Sequence, residues 1–158
     1  MAKVLIGFMG AGKTTVARLL DPDFIDMDAV ITDRIGMSIA DYFAKEGEAA
    51  FRCVESQVLA ELLTTDAVIS TGGGVVISPA NRDLLRQKAH TIFLKADLAT
   101  LVKRIQKDQV NKRPLFENND AAEFAQLFEQ RQAFYEEAAN QVIDVSDKSP
   151  QEIVELIK

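Results

Sequence analysis

Residues 7 to 14 read Gly7-Phe8-Met9-Gly10-Ala11-Gly12-Lys13-Thr14, and few eight-residue patterns restrict a fold as severely. The apolar run Val4-Leu5-Ile6 precedes this G-x-x-x-x-G-K-[ST] stretch, and helix-compatible sequence follows it. A strand must therefore enter a tight loop and leave it as a helix. The glycines let the backbone curl until successive N–H groups point inward at an anion. The helix N-terminus adds partial positive charge to the same place. In such a loop the backbone cradles the phosphates of a nucleoside triphosphate, Lys13 can reach the β- and γ-phosphates, and the Thr14 hydroxyl can ligate Mg²⁺.

The rest of the chain repeats the strand–helix alternation. Short apolar segments at 3–8, 24–27, 67–71, 91–95 and 141–145 read as buried strands. Helical spacing lies between them, as in Phe51, Val54, Val58, Leu59 and Leu62, or Leu98, Leu101, Val102 and Ile105. Helix starts are marked by Ser78-Pro79, by the capping box Ser149-Pro150-Gln151-Glu152, by Ser38 with Asp41, and by Asp97. Alternation of this kind predicts a three-layer α/β/α sandwich around a parallel sheet, with ligands bound beyond the carboxyl ends of the strands. The stretch 106–120 has no periodicity and contains Lys112-Arg113-Pro114; a loop of that length inside a compact domain reads as a lid.

At 158 residues the chain is expected to form a single domain, 1–158, with one core. No apolar run approaches the ~18–20 residues of a membrane span, and the first strand starts too early for a signal peptide. Cys53 is the sole cysteine, which excludes an internal disulfide and fits a reducing cytoplasm; it is expected to pack as a small residue. With His90 as the sole histidine, soft ligands are too few for a zinc site. The net charge of −6 argues against a nucleic-acid partner, so individual arginines carry more weight as anion contacts.

Several residues at the expected strand ends could carry chemistry. In Phe24-Ile25-Asp26-Met27-Asp28, two acids at i and i+2 of an extended chain face one way and invite a cation between them. Asp26 would then face metal-bound water and Asp28 a substrate hydroxyl; a solvated strand end running into a helix cap is the other reading. Gly72-Gly73-Gly74 suits a backbone that approaches a ligand closely. Arg52, Arg113 and Arg131 carry planar forks matched to carboxylate or phosphate, with Arg104 and Lys148 weaker candidates for the nucleotide.

Taken together these pieces resemble the shikimate kinase family. The match runs in order through Gly7–Thr14, Asp26-x-Asp28, Gly36-x-Ser38-Ile39-Ala40-Asp41-Tyr42-Phe43, Gly47-Glu48 with Phe51-Arg52 and Glu55, Gly72-Gly73-Gly74, Arg113-Pro114-Leu115, and Arg131-x-x-x-Tyr135. The resemblance implies a monomeric cytoplasmic kinase that phosphorylates the 3-hydroxyl of shikimate from ATP with Mg²⁺, on a sheet of order 2-3-1-4-5. It implies that Asp28 and the glycine loop, chiefly Gly73, hold the ring hydroxyls, and that Arg52 and Arg131 hold the carboxylate. By the same resemblance Thr14 ligates Mg²⁺ directly, Asp26 does so through water, and Arg113 swings in with the lid. Arg104, Lys148 and Pro150 would lie on the adenine side. Two departures stand out: Lys148 replaces a common arginine, and the helix after Lys13 must stop near Leu20, ~12 Å on, because Asp21-Pro22-Asp23 follows.

Overall fold

The computed structural model describes residues 1–8, 11–107 and 121–157, with the side chains of 104–107 and 121–124 left aside. Gly10, Arg113 and most of the expected lid fall outside the described residues, as does the side chain of Arg104.

β1 (Lys3–Ile6) is the middle strand of the sheet, with Val4, Leu5 and Ile6 all at 0% exposure. Such a continuous apolar run is what a parallel strand covered on both faces requires. It pairs in parallel with β3 (Val68–Ser70) on one side and β4 (His90–Lys95) on the other, Leu5 lying opposite both Ser70 and Ile92. β2 (Ile25–Asp26) extends the sheet beside β3, and β5 (Gln141–Asp144) beside β4. The order is β2-β3-β1-β4-β5, as the resemblance implies.

The helices follow in the expected places: α1 (Lys13–Leu20), α2 (Met27–Ile35), α3 (Ile39–Glu46), α4 (Glu48–Leu62), α5 (Pro79–Lys88), α6 (Leu98–Lys107), α7 (Ala121–Ala138) and α8 (Pro150–Ile157). A 3₁₀ turn, Val75–Ile77, leads from the glycine loop into α5. Side-chain caps account for the starts of α3, α6 and α8. Ser38 accepts from the Asp41 N–H, Asp97 from the Thr100 N–H, and Ser149 and Glu152 bond each other's N–H reciprocally. Ser78 occupies the cap of α5 without a side-chain bond, so Pro79 at the first helical position marks that start by itself. α1 stops at Leu20 as expected, where Asp21 turns extended and its side chain accepts from the Asp23 N–H.

Two expectations are corrected. β2 ends at Asp26, and Asp28 already lies in the first turn of α2; strand alternation therefore does not align the two acids. Cys53 is exposed on α4 and fills no gap in the core. Among the described residues, no helix is long and apolar enough to cross a membrane.

Candidate active site

The phosphate loop is fixed from below by β4 and from behind by α1. A Cβ on Gly7 would stand 2.8 Å from the Leu94 carbonyl oxygen, so only glycine lets the chain leave β1 so close to its neighbour. Gly12 takes φ 89° as it enters α1, the left-handed region where an L side chain is strained. Lys13 folds back across the loop, and its Nζ donates to the carbonyls of Gly7 and Phe8. Thr14 Oγ1 lies 3.4 Å from Ser70 Oγ at the end of β3. Beside the loop opens a cavity of about 300 Å³ lined by Ala11, Gly12, Thr15, Val16, Lys148, Pro150 and Ile153. The structure thus brings Lys148 to the loop, with its Nζ donating to the Asp144 carbonyl at 2.9 Å.

Asp26 and Asp28 meet through a helix cap. Asp26 Oδ1 accepts from the N–H groups of Asp28 and Ala29 at 3.0 and 3.4 Å, which starts α2 and draws Asp28 beside it. Burial, then the Asp26 carboxylate, push the Asp28 acid above its usual range, against the pull of Lys13 and Arg52. The glycine loop closes over this acid: a Cβ on Gly72 would stand 2.7 Å from Asp28 Oδ1.

Arg52 lies on the other side of the loop. Its Nη1 donates to both oxygens of Glu55, at 3.0 and 3.2 Å, and to the Gly74 carbonyl at 3.2 Å. The guanidinium rests against the rings of Phe51 and Phe43, at 5.3 and 5.8 Å. A Cβ on Gly74 would stand 2.7 Å from Arg52 Nη1. The three glycines therefore run between an acid and a guanidinium with no room for a side chain at either end.

Arg131 reaches the same region from α7. Phe128 packs edge-on against Phe8 at 5.7 Å, and the Arg131 guanidinium lies 5.8 Å from that ring. Both arginines are largely out of water; the Arg52 Nε faces Glu48 Oε1 at 3.6 Å, and the Arg131 Nε is buried without a hydrogen-bond partner. Donors left in that state are costly unless an acceptor joins them. Glu55, 2% exposed, ties the group together: burial raises its pKa, the Arg52 charge and hydrogen bond lower it, and Asp28 and Arg131 act on it in turn.

The sequence reading assigned no role to Glu55, Ser70, Asn81, Arg82 or Tyr135. Spacing offers a signal for two of them, since Glu55 follows Arg52 by three residues and Tyr135 follows Arg131 by four, both one turn on along a helix. Asn81 and Arg82 donate to carbonyls of Val75, Val76 and Ile77 and brace the 3₁₀ turn behind the glycine loop. Nothing local in the sequence marks that contact.

Known proteins resemble this chain in sequence and fold. The family model described as shikimate kinase matches residues 9–158. A shikimate kinase of Streptococcus gordonii is 54% identical over 159 residues, spanning 100% of this chain and 99% of its own length. The structure of a shikimate kinase from Acinetobacter baumannii in complex with shikimate superposes with TM-score 0.88 at 33% identity, covering 99% of this chain and 89% of the other. That of the Aquifex aeolicus shikimate kinase gives TM-score 0.85 at 34% identity, covering 99% and 94%. With a relative 54% identical across 99% of its own length and the family model matching residues 9–158, the chain belongs to the shikimate kinase family.

Proposed function

We propose that this site transfers the γ-phosphoryl group of ATP to the 3-hydroxyl of shikimate, giving shikimate 3-phosphate for chorismate and aromatic amino acid biosynthesis. The observation that carries the residue-level reading is the buried Arg131 Nε–H donor without a hydrogen-bond partner, together with the Arg52 guanidinium held against one end of a glycine loop whose other end touches Asp28. A planar carboxylate satisfies two such forks at once. Arg52 and Arg131 grip the shikimate carboxylate, Glu55 holds Arg52 in place, and the backbone of Gly72, Gly73 and Gly74 meets the ring. Asp28, its basicity raised by burial, orients the attacking hydroxyl and takes its proton.

On the nucleotide side, Gly10, Ala11, Gly12, Lys13, Thr14 and Thr15 cradle the phosphates, and the base lies in the cavity beside Lys148 and Pro150, with Arg104 on the same side. Lys13 and Arg113 offset negative charge on the transferring group. Among the described residues no cluster of three His, Cys, Asp or Glu gathers to hold a metal. The Thr14 hydroxyl lies 3.4 Å from Ser70 Oγ, and Asp26 stands opposite Ser70 on the neighbouring strand; a sparse, hard oxygen set of this kind suits Mg²⁺ arriving on ATP with most of its water shell. Thr14 would hold it directly and Asp26 through water; when bound, it neutralises charge on the phosphates. The net charge of −6 argues against a nucleic-acid partner, and the family resemblance supports a cytoplasmic monomer.

A coupled ADP assay with Mg²⁺ and a panel of small hydroxy acids tests the reading, and shikimate should be the preferred acceptor. Lys13→Ala should lose most of the rate. Arg52→Ala and Arg131→Ala should each lose about 1.5–3 kcal/mol of carboxylate binding, which is roughly a 10- to 150-fold rise in KM for shikimate with KM for ATP little changed. Equal rises for both substrates would remove the carboxylate clamp from the account.

A further inference from the structure

Tyr135 sits in α7 one turn beyond Arg131 and is fully buried, its ring 5.1 Å from that of Phe93 in β4. Packing alone would be served by phenylalanine, yet a hydroxyl is buried here, and a buried hydroxyl is kept only with partners. Its O–H donates to the Gly73 carbonyl, and the Arg131 guanidinium, one turn back on α7, acts on its oxygen. Burial raises the phenol's pKa well above the usual range, so it remains a donor at any working pH. A trans peptide is planar, so a Gly73 carbonyl held toward Tyr135 turns the Gly74 N–H the opposite way. The Gly74 carbonyl is in turn held by Arg52 at 3.2 Å. One hydroxyl therefore joins α7 to the middle of the glycine loop.

We propose that Tyr135 is a positioning residue for shikimate, its hydroxyl locking the Gly73–Gly74 peptide and the Arg131 guanidinium into a single preformed surface. The inference rests on the reading of Arg131 and the glycine loop as shikimate-binding. Preformed geometry lowers the ordering cost of binding and leaves the chemical step alone.

Tyr135→Phe removes one oxygen and keeps the ring and its stack on Phe93, so the variant folds. It should raise KM for shikimate about tenfold, the loss of one net hydrogen bond, with kcat and KM for ATP within about twofold of the parent. Phe93→Leu serves as the packing control: it should lower Tm and leave KM for shikimate unchanged. A Phe93→Leu rise equal to that of Tyr135→Phe would reduce the tyrosine to packing and overturn the proposal. In an Arg131→Met background, Tyr135→Phe should add less than about threefold, because the two side chains act as a unit; full additivity also overturns it. The two layers separate cleanly. If Arg131→Met leaves KM for shikimate untouched, the reading of the site fails; if Arg131→Met raises it and Tyr135→Phe does not, only the positioning role falls.

Discussion

At Asp28, loss of water does more than any neighbouring charge: burial and then Asp26 raise the pKa above 3.8, while Lys13 and Arg52 lower it. An acid with a folded pKa above its unfolded value binds protons better in the native chain. Its contribution to stability is full below the unfolded pKa and is lost as pH rises through the folded one. At neutral pH the ionised carboxylate is a destabilising group kept for its basicity. Asp28→Asn should therefore raise Tm near pH 7, with the gain shrinking as the solution is acidified toward the unfolded pKa, while kcat drops on the order of 10²- to 10⁴-fold. Melting curves taken across that range, beside initial rates, check both halves; a lower Tm at neutral pH would show the charge to be stabilising instead. Asp26 should behave differently. Asparagine caps a helix about as well as aspartate, so Asp26→Asn should keep α2, lose rate, and recover part of it as Mg²⁺ is titrated upward, whereas added Mg²⁺ should not rescue Asp28→Asn. That these two acids matter was legible in their proximity in the sequence. How they meet was legible only in the second reading, a strand end running into a helix cap, because a two-residue β2 and a cap at Asp26 replace the extended run that their spacing suggested.

The glycine loop shows the same division at the level of elements. Three consecutive glycines announce a close approach, but what approaches is a tertiary fact: Asp28 at one end and Arg52 at the other. Gly74→Ala should displace Arg52, whose guanidinium is anchored by Glu55 and cannot swing aside freely, and so raise KM for shikimate about tenfold, the equivalent of one charge-assisted contact. Gly72→Ala should press on Asp28 and act on kcat instead. Steady-state kinetics of the pair decide it, since the reverse pattern would mean that the loop's ends are assigned the wrong way round. Helix starts at Ser38, Asp97 and Ser149 were readable because capping is local chemistry. The brace of Asn81 and Arg82 under the 3₁₀ turn was not, because its acceptors are backbone carbonyls that no side-chain pattern encodes. Arg82 also pairs with Glu137 and lies over the Phe134 ring at 4.3 Å, so α5, the turn and α7 form one connected support behind the site.

Across the whole molecule, every proposed contact within the described residues lies at the carboxyl edge of one parallel sheet, and the phosphate loop alone was enough to foretell that arrangement. The stretch 106–120 should complete it: Arg113→Ala should lower kcat more than it weakens binding, and amide exchange across 106–120 should slow when both ligands bind. Equal protection with and without ligands would end the lid hypothesis. The nucleotide cavity has a different consequence. Its walls come from the phosphate loop and α1 on one side and from Lys148, Pro150 and Ile153 on the other, and α8 packs against α1. Bound there as proposed, ATP would staple the phosphate loop and α1 to α8. At about 100 times its Kd a ligand adds roughly 2.7 kcal/mol to the state that binds it, so a protease that cuts when α8 peels away should work roughly a hundredfold more slowly on the loaded molecule. A non-hydrolysable analogue should give that protection without turnover, which would make the lifetime of the chain a reading of the energy charge around it.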